Sequence, residues 1–192
     1  LKFNYNLMSI NISYNAGSFN ITTFNLLIMI IKLNKNFICI NQFKLKCTVG
    51  KGGIKKKIKE GDKITPKGTY FLGKLYYRSD RVGKFQTKLD CKIIKKNMGW
   101  SDDPKSSYYN RQILIRKNYK FSYEKLYRKD HKYDFFIPIK YNYKKTVKNK
   151  GSAIFLHLTK NYKPTDGCIA LKMKDFLILL NLINKKTRIK II

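Results

Sequence analysis

The chain has 192 residues, 43% of them apolar, and a formal net charge of +31; it is long enough for one domain with its own core, and that composition excludes wholesale disorder. No run approaches the ~20 apolar residues of a membrane-spanning helix. The charge invites nucleic acid as a partner, but 36 lysines stand against 6 arginines, arginine is the usual reader of bases and phosphates, and the lysines are dispersed; no specific nucleic-acid partner is expected, only attraction to a polyanionic surface.

Residues 1–28 are rich in Asn, Ser and Thr and show no periodicity. They read as an extension ahead of a single folded domain spanning 29–192. They lack the charged start, long apolar run and small-residue cleavage site of a readable signal peptide. From Met29, MIIKLNKNFICI reads as a strand, a turn at Asn34–Lys35 and a second strand. Residues 37–49 alternate as paired strands do. Cys39, Cys47 and Cys91 read as small buried apolar residues, and a Cys39–Cys47 bridge across a hairpin stays open. Gly50-Lys-Gly-Gly53 lacks the phosphate-loop pattern and reads as a turn.

Lys55 to Lys63 reads as a solvated basic loop, and Thr69 to Leu72 as a strand. Tyr76, Tyr77, Arg78, Asp80 and Arg81 either line a groove or form a strand edge with weak surface ion pairs. Gly99 to Pro104 is a loop holding Trp100. Lys125 to Asp130 is expected to be a short helix. Strands follow over Tyr133–Tyr143 and Gly151–Leu158, the second ending at His157. Met173 to Ile183 has the apolar spacing of an amphipathic helix, and Thr187 to Ile192 closes the chain as a strand. No repeat or interdomain linker interrupts this series.

The chemistry concentrates at His157 and Cys168. Each alone is more often a structural residue. Together they change the balance, because Pro164-Thr-Asp-Gly167 sets the cysteine after a tight turn. Backbone N–H groups of such a turn can meet a developing oxyanion. The following helix is expected to direct its positive end toward the sulfur. A histidine within reach can take the thiol proton and so make a nucleophile. No CxxC pair or histidine cluster is present, so no zinc site is expected.

These residues also resemble a family. GSAIFLH followed by PTDGCIAL (the family pattern being PTxGCxAL) is similar to the L,D-transpeptidase catalytic domain. So, in the same order, are Gly61-Asp-Lys-Ile-Thr-Pro-Lys-Gly68, Met98-Gly-Trp-Ser-Asp-Asp-Pro104, Tyr127 to Asp134, and Tyr141-Asn142. The resemblance runs over 29–192. It implies a mainly β, sandwich-like domain with a few short helices, one of them C-terminal to the catalytic cysteine. It also implies Cys168 as nucleophile, His157 as general base, Gly167 in the oxyanion-hole turn, and an oxyanion hole made by the amides of Asp166, Gly167 and Cys168. The implied partner is the stem peptide of peptidoglycan, in the cell envelope or periplasm, and the implied chemistry needs no metal or cofactor.

Many relatives carry Ser-His-Gly-Cys and an arginine two residues later. Here those places are Thr165-Asp166-Gly-Cys and Ala170. Substrate contacts are therefore expected from Arg78, Arg81 or Arg111, with Asp166, His131 and Trp100 as further candidates. Asp166 would bind a substrate ammonium or cap the next helix. An L,D-carboxypeptidase using the same dyad, and a basic cell-envelope binding protein with inert Cys and His, are the alternative readings.

Overall fold

A computed structural model describes residues 29–192; the extension expected over 1–28 lies outside the described residues. The described residues are mainly β, with 37% strand and 6% helix in a curled sheet. In chain order the first strands are β1 (Ile30–Asn34), β2 (Phe37–Ile40), β3 (Phe43–Thr48), β4 (Ile54–Lys55), β5 (Thr65–Pro66), β6 (Gly68–Phe71), β7 (Leu75–Tyr77) and β8 (Cys91–Ile93). They are followed by β9 (Met98–Ser101), β10 (Gln112–Leu114), β11 (Tyr123–Lys125), β12 (Phe135–Pro138), β13 (Phe155–Leu158) and β14 (Ile169–Leu171). Helix α1 (Met173–Leu182) and β15 (Arg188–Ile191) complete the series. The main sheet has ten strands in the order β6-β15-β1-β2-β3-β14-β13-β12-β7-β8. A smaller sheet runs β10-β9-β11, and β4 pairs with β5.

Strict alternation along the central strands makes two cores. Phe135 and Ile137 of β12, and Leu156 and Leu158 of β13, face one side. There they meet Phe176, Leu179, Leu180 and Ile183 of the helix and its C-cap, the i, i+3, i+4 stripe of an amphipathic helix. Phe136 and Phe155 face the other side with Trp100, Leu126 and Tyr133. Met98 and Trp100 of β9 cover that second face. A one-residue offset thus sends Phe155 and His157 to the small-sheet side and Leu156 to the helix side.

Three expectations are corrected. Lys125–Asp130 is not helical. Arg128 turns its guanidinium onto Asp130 (2.9 and 2.8 Å), and Arg81 donates to the carbonyls of Lys129 and Asp130 (both 2.9 Å). The start of the segment is committed to the sheet, since Lys125 of β11 pairs with Gly99 and the Leu126 N–H donates to the Met98 carbonyl at 3.0 Å, and α1 is the one α-helix among the described residues. Cys91 is exposed on edge strand β8, while Cys47 is buried and Cys39 half-buried; all are free thiols. The segment 55–63 is not uniformly solvated either, because the Lys57 side chain is 2% exposed and paired with Asp62 at 2.5 Å.

Candidate active site

The sequence around Cys168 folds as a turn clamped by two other segments. Gly167 adopts φ +130, a conformation open to glycine, and a Cβ there would meet the Ile64 carbonyl at 3.0 Å. Gly50 lies against it so closely that a Cβ on Gly50 would fall 2.9 Å from Gly167 Cα and 2.2 Å from the Lys63 carbonyl. The Thr65 hydroxyl, fully buried, links these backbones: it accepts from Gly50 N–H at 2.8 Å and donates to the Gly167 carbonyl at 2.9 Å. Thr165 exchanges backbone bonds with both flanks of Gly50, donating to Val49 at 3.0 Å and accepting from Lys51 at 2.8 Å. Its hydroxyl donates to the Cys168 carbonyl at 2.6 Å and accepts from Gly167 N–H at 3.2 Å.

That last bond changes the expected oxyanion hole. The Gly167 amide is already used within the turn. The amides of Asp166 and Cys168 are not taken up by another group of the described protein, and these two remain as donors.

Cys168 enters the sheet just ahead of β14, which pairs in parallel with β13 as Leu156↔Ile169 and His157↔Ala170. Extending that register sets Cys168 beside Phe155, and the contacts agree: the Phe155 N–H donates to Sγ at 3.3 Å, and the thiol donates to the Ala153 carbonyl at 3.1 Å. His157 therefore sits one diagonal step from Cys168 on the same face, a backbone separation of roughly 7–8 Å that side chains can span. The thiol and the imidazole are not hydrogen-bonded to each other in this resting arrangement.

His157 is 6% exposed, with Tyr133 edge-on to its ring at 5.5 Å. Its Nδ1 lies 2.9 Å from the Leu158 carbonyl. A carbonyl only accepts, so Nδ1 carries the proton and Nε2 keeps its lone pair. Burial lowers the imidazole to about 4. Burial first, and then the charge of Glu124, pushes the Cys168 thiol up to about 12. Both groups are thus neutral at rest.

Ala153, at φ 49, is fixed by a buried amide. Asn110 accepts from Trp100 Nε1 at 3.0 Å and from Ala153 N–H at 3.2 Å through the same oxygen. Its nitrogen donates to the carbonyls of Tyr141 and Asn142 at 3.1 and 2.8 Å. Trp100, 2% exposed, acts by packing against Phe155 (5.1 Å) and holding this hub; it does not face solvent as a substrate contact would. Trp100, on β9 and not in the loop expected over Gly99–Pro104, thereby helps to steer the carbonyl that holds the Cys168 thiol.

The other nominated residues are dispersed. Arg78 is buried, forked onto Asp80 (2.8 and 2.6 Å), bonded to the Arg128 carbonyl (2.8 Å) and stacked on Tyr127. Arg81 ties Asp134 (3.2 Å) and the 129–130 carbonyls. Arg111 binds the Tyr143 carbonyl at 2.5 Å. All three arginines are engaged in holding loops. Asp166 is exposed and pairs with Lys51 at 3.3 Å; it caps nothing, since the N-cap of α1 is Lys172 and makes no side-chain cap bond. His131 is half-buried, with a buried Nε2 that has no partner.

The helix-dipole expectation also fails. β14 intervenes between Cys168 and α1, and α1 packs on the opposite face of the sheet.

Four further residues touch this face and were not singled out from the sequence: Thr65, Lys57, Tyr133 and Glu124. Thr65 and Tyr133 lie inside segments that carried the resemblance. Lys57 was hidden in a lysine-rich run, and nothing in the sequence distinguished Glu124.

A search of curated proteins and of solved structures found no match. The family model for the L,D-transpeptidase catalytic domain (YkuD), a family that acts on peptidoglycan, matches residues 28–191. That span includes the turn, the dyad and every segment that holds them, and the chain belongs to the L,D-transpeptidase catalytic domain family.

Proposed function

We propose that this protein is a cysteine-dependent L,D-transpeptidase acting on peptidoglycan stem peptides in the cell envelope, with Cys168 as nucleophile and His157 as general base. The observation that carries the reading is the shared face of Cys168 and His157, one diagonal step apart, with Nδ1–H anchored and Nε2 free. Rotation about the Cys168 Cα–Cβ bond takes Sγ from the Ala153 carbonyl toward Nε2. The thiol proton passes to Nε2 as Sγ attacks the carbonyl carbon of an L,D peptide bond. The amides of Asp166 and Cys168 receive the developing oxyanion.

The C–N bond then breaks. The departing D-amino acid takes the proton from the imidazolium, and the acyl group stays as a thioester. An amine of a second stem attacks the thioester, a C–N bond forms, the C–S bond breaks, and the amine's proton returns to sulfur through His157. The strongly positive chain suits a carboxylate-bearing polymer.

The test is incubation with purified stem tetrapeptides, followed by mass spectrometry. Crosslinked dimers that vanish in Cys168→Ala support the reading. Trimmed tripeptide without dimer would indicate an L,D-carboxypeptidase. Product unchanged in Cys168→Ala would refute the catalytic role.

A further inference from the structure

We propose that Glu124 is a docking point for a primary ammonium group of the substrate, beside the nucleophile. The proposal rests on the thioester chemistry proposed above. Glu124 lies on β11, paired with Trp100 of β9, on the face that carries the dyad. One carboxylate oxygen, Oε1, receives the Tyr133 hydroxyl at 2.6 Å and lies 3.5 Å from Arg128. The other oxygen, Oε2, has no partner among the described residues. The side chain is 29% exposed, so a ligand can reach it.

Tyr133 joins this carboxylate to the dyad. Its buried ring is edge-on to His157 at 5.5 Å and to Phe155 at 5.8 Å, and Cys168 packs against the same cluster. Carboxylate, phenol, imidazole and thiol thus share one patch. Glu124 is the strongest charge acting on the Cys168 thiol, and it opposes thiolate formation. Asp166 opposes it too, while Lys57 favours it. Around Glu124 itself stand Tyr133, Arg128, Lys132 and Asp102. Arg128 is forked onto Asp130 and also keeps a 3.5 Å ion pair with Glu124 Oε1; Oε2 is left open, and Glu124 still opposes the thiolate despite that pair.

A negative charge beside a sulfur that must become negative is unfavourable unless a cation meets it at the moment of reaction. This chain has 42 basic and 11 acidic residues, yet an acid stands at this spot. A bound primary ammonium would satisfy Oε2, cancel the repulsion and ease loss of the thiol proton. The same contact would select the substrate and switch on the nucleophile. The ammonium is that of the donor stem's side chain, which is in the site when the thiol loses its proton; the acceptor amine arrives only after the thioester has formed.

The experiment compares wild type with Glu124→Gln, which keeps an oxygen for the Tyr133 hydroxyl. The first readout is alkylation of Cys168 by iodoacetamide at pH 8, followed on the Cys168 peptide by mass spectrometry. The variant should react about threefold faster, the thiolate gain from a fall of half a pKa unit. The second readout is kcat/KM with donor peptides whose side-chain amine is free or acetylated, and with free-amine acceptors.

If the donor supplies the ammonium, Glu124→Gln loses about tenfold on the free-amine donor and nothing on the acetylated one. Donor hydrolysis that holds while crosslinking falls would place the contact on the acceptor and overturn the proposal. Alkylation no faster than wild type, or equal loss on free and acetylated peptides, overturns the proposal. Should the variant not fold, wild type alone decides: an acetylated donor that acylates Cys168 as fast as the free-amine donor overturns the proposal. A wild type inactive on every peptide would instead sink the transpeptidase reading, and this proposal with it.

Discussion

Thr65→Val replaces a hydroxyl by a methyl of nearly equal size at a fully buried position. It therefore isolates two hydrogen bonds. Gly50 N–H loses its acceptor and the Gly167 carbonyl loses its donor. Neither group gains access to water, because Gly50 and Gly167 lie backbone against backbone. Each buried unsatisfied group costs about 1–3 kcal/mol, so the variant should lose about 2–6 kcal/mol of stability. Thr65→Ser keeps the hydroxyl and deletes one methyl, at about 1 kcal/mol.

Urea unfolding of the two variants gives the comparison, with Ser lying well above Val. Activity should fall further in Val than stability alone explains, because the clamp sets the turn before Cys168. A displacement of about 1 Å there is enough for roughly a hundredfold loss in rate. Coincident urea midpoints for Val and Ser would refute the claim that Thr65 clamps the turn.

Three further outcomes follow from the site. Burial pushes the Cys168 thiol up to about 12, so its alkylation rate should climb about tenfold per pH unit from pH 7 to 10; a plateau below pH 9 would contradict the neutral dyad. The His157 imidazole, at about 4 when folded against 6.5 unfolded, leaves the unfolded chain holding more protons between those values. Stability should therefore fall by about 3 kcal/mol as pH drops from 6.5 to 4, and thermal melts of a His157→Gln variant should lack that slope. At Asp62, burial alone would raise the carboxyl, but Lys57 and three backbone N–H groups outweigh it and bring the carboxyl down to about 2, which places its own loss of stability below 3.8. Lys57→Met leaves that carboxylate buried without its cation and should cost about 3–5 kcal/mol; the double variant Lys57→Met/Asp62→Leu should recover most of it in denaturant titrations, and failure to recover would mean that the pair is not coupled.

Periodic features were legible in the sequence, and features that depend on long-range closure were not. The β1–β2 hairpin was readable because Ile31, Leu33, Ile38 and Ile40 alternate across a turn, and α1 because Phe176, Leu179 and Leu180 fall on one stripe. His157 and Cys168 stood out by type and spacing. The Lys57–Asp62 pair was not readable, since one lysine among many carries no mark of burial; only the neighbouring Gly151, where a Cβ would strike the Lys57 side chain, requires that packing. Helix over Lys125–Asp130 was misjudged because β9, far away in sequence, takes Lys125 and Leu126 into the sheet. Glu124 acquires meaning only when β11 folds onto β9 and brings it to Tyr133.

The place of β15 has a consequence for synthesis. It runs parallel to β1 on one side and antiparallel to β6 on the other, so two strands made early are joined by one made late. Until residues 188–191 leave the ribosome, Ile31 and Leu33 lack the neighbouring strand that completes their side of the core, and β6 has no partner. Pairings so distant in sequence make closure slow. The nascent chain therefore passes through most of its synthesis as an unfinished sheet. A chaperone that shields the exposed edge of β1 would act on this intermediate.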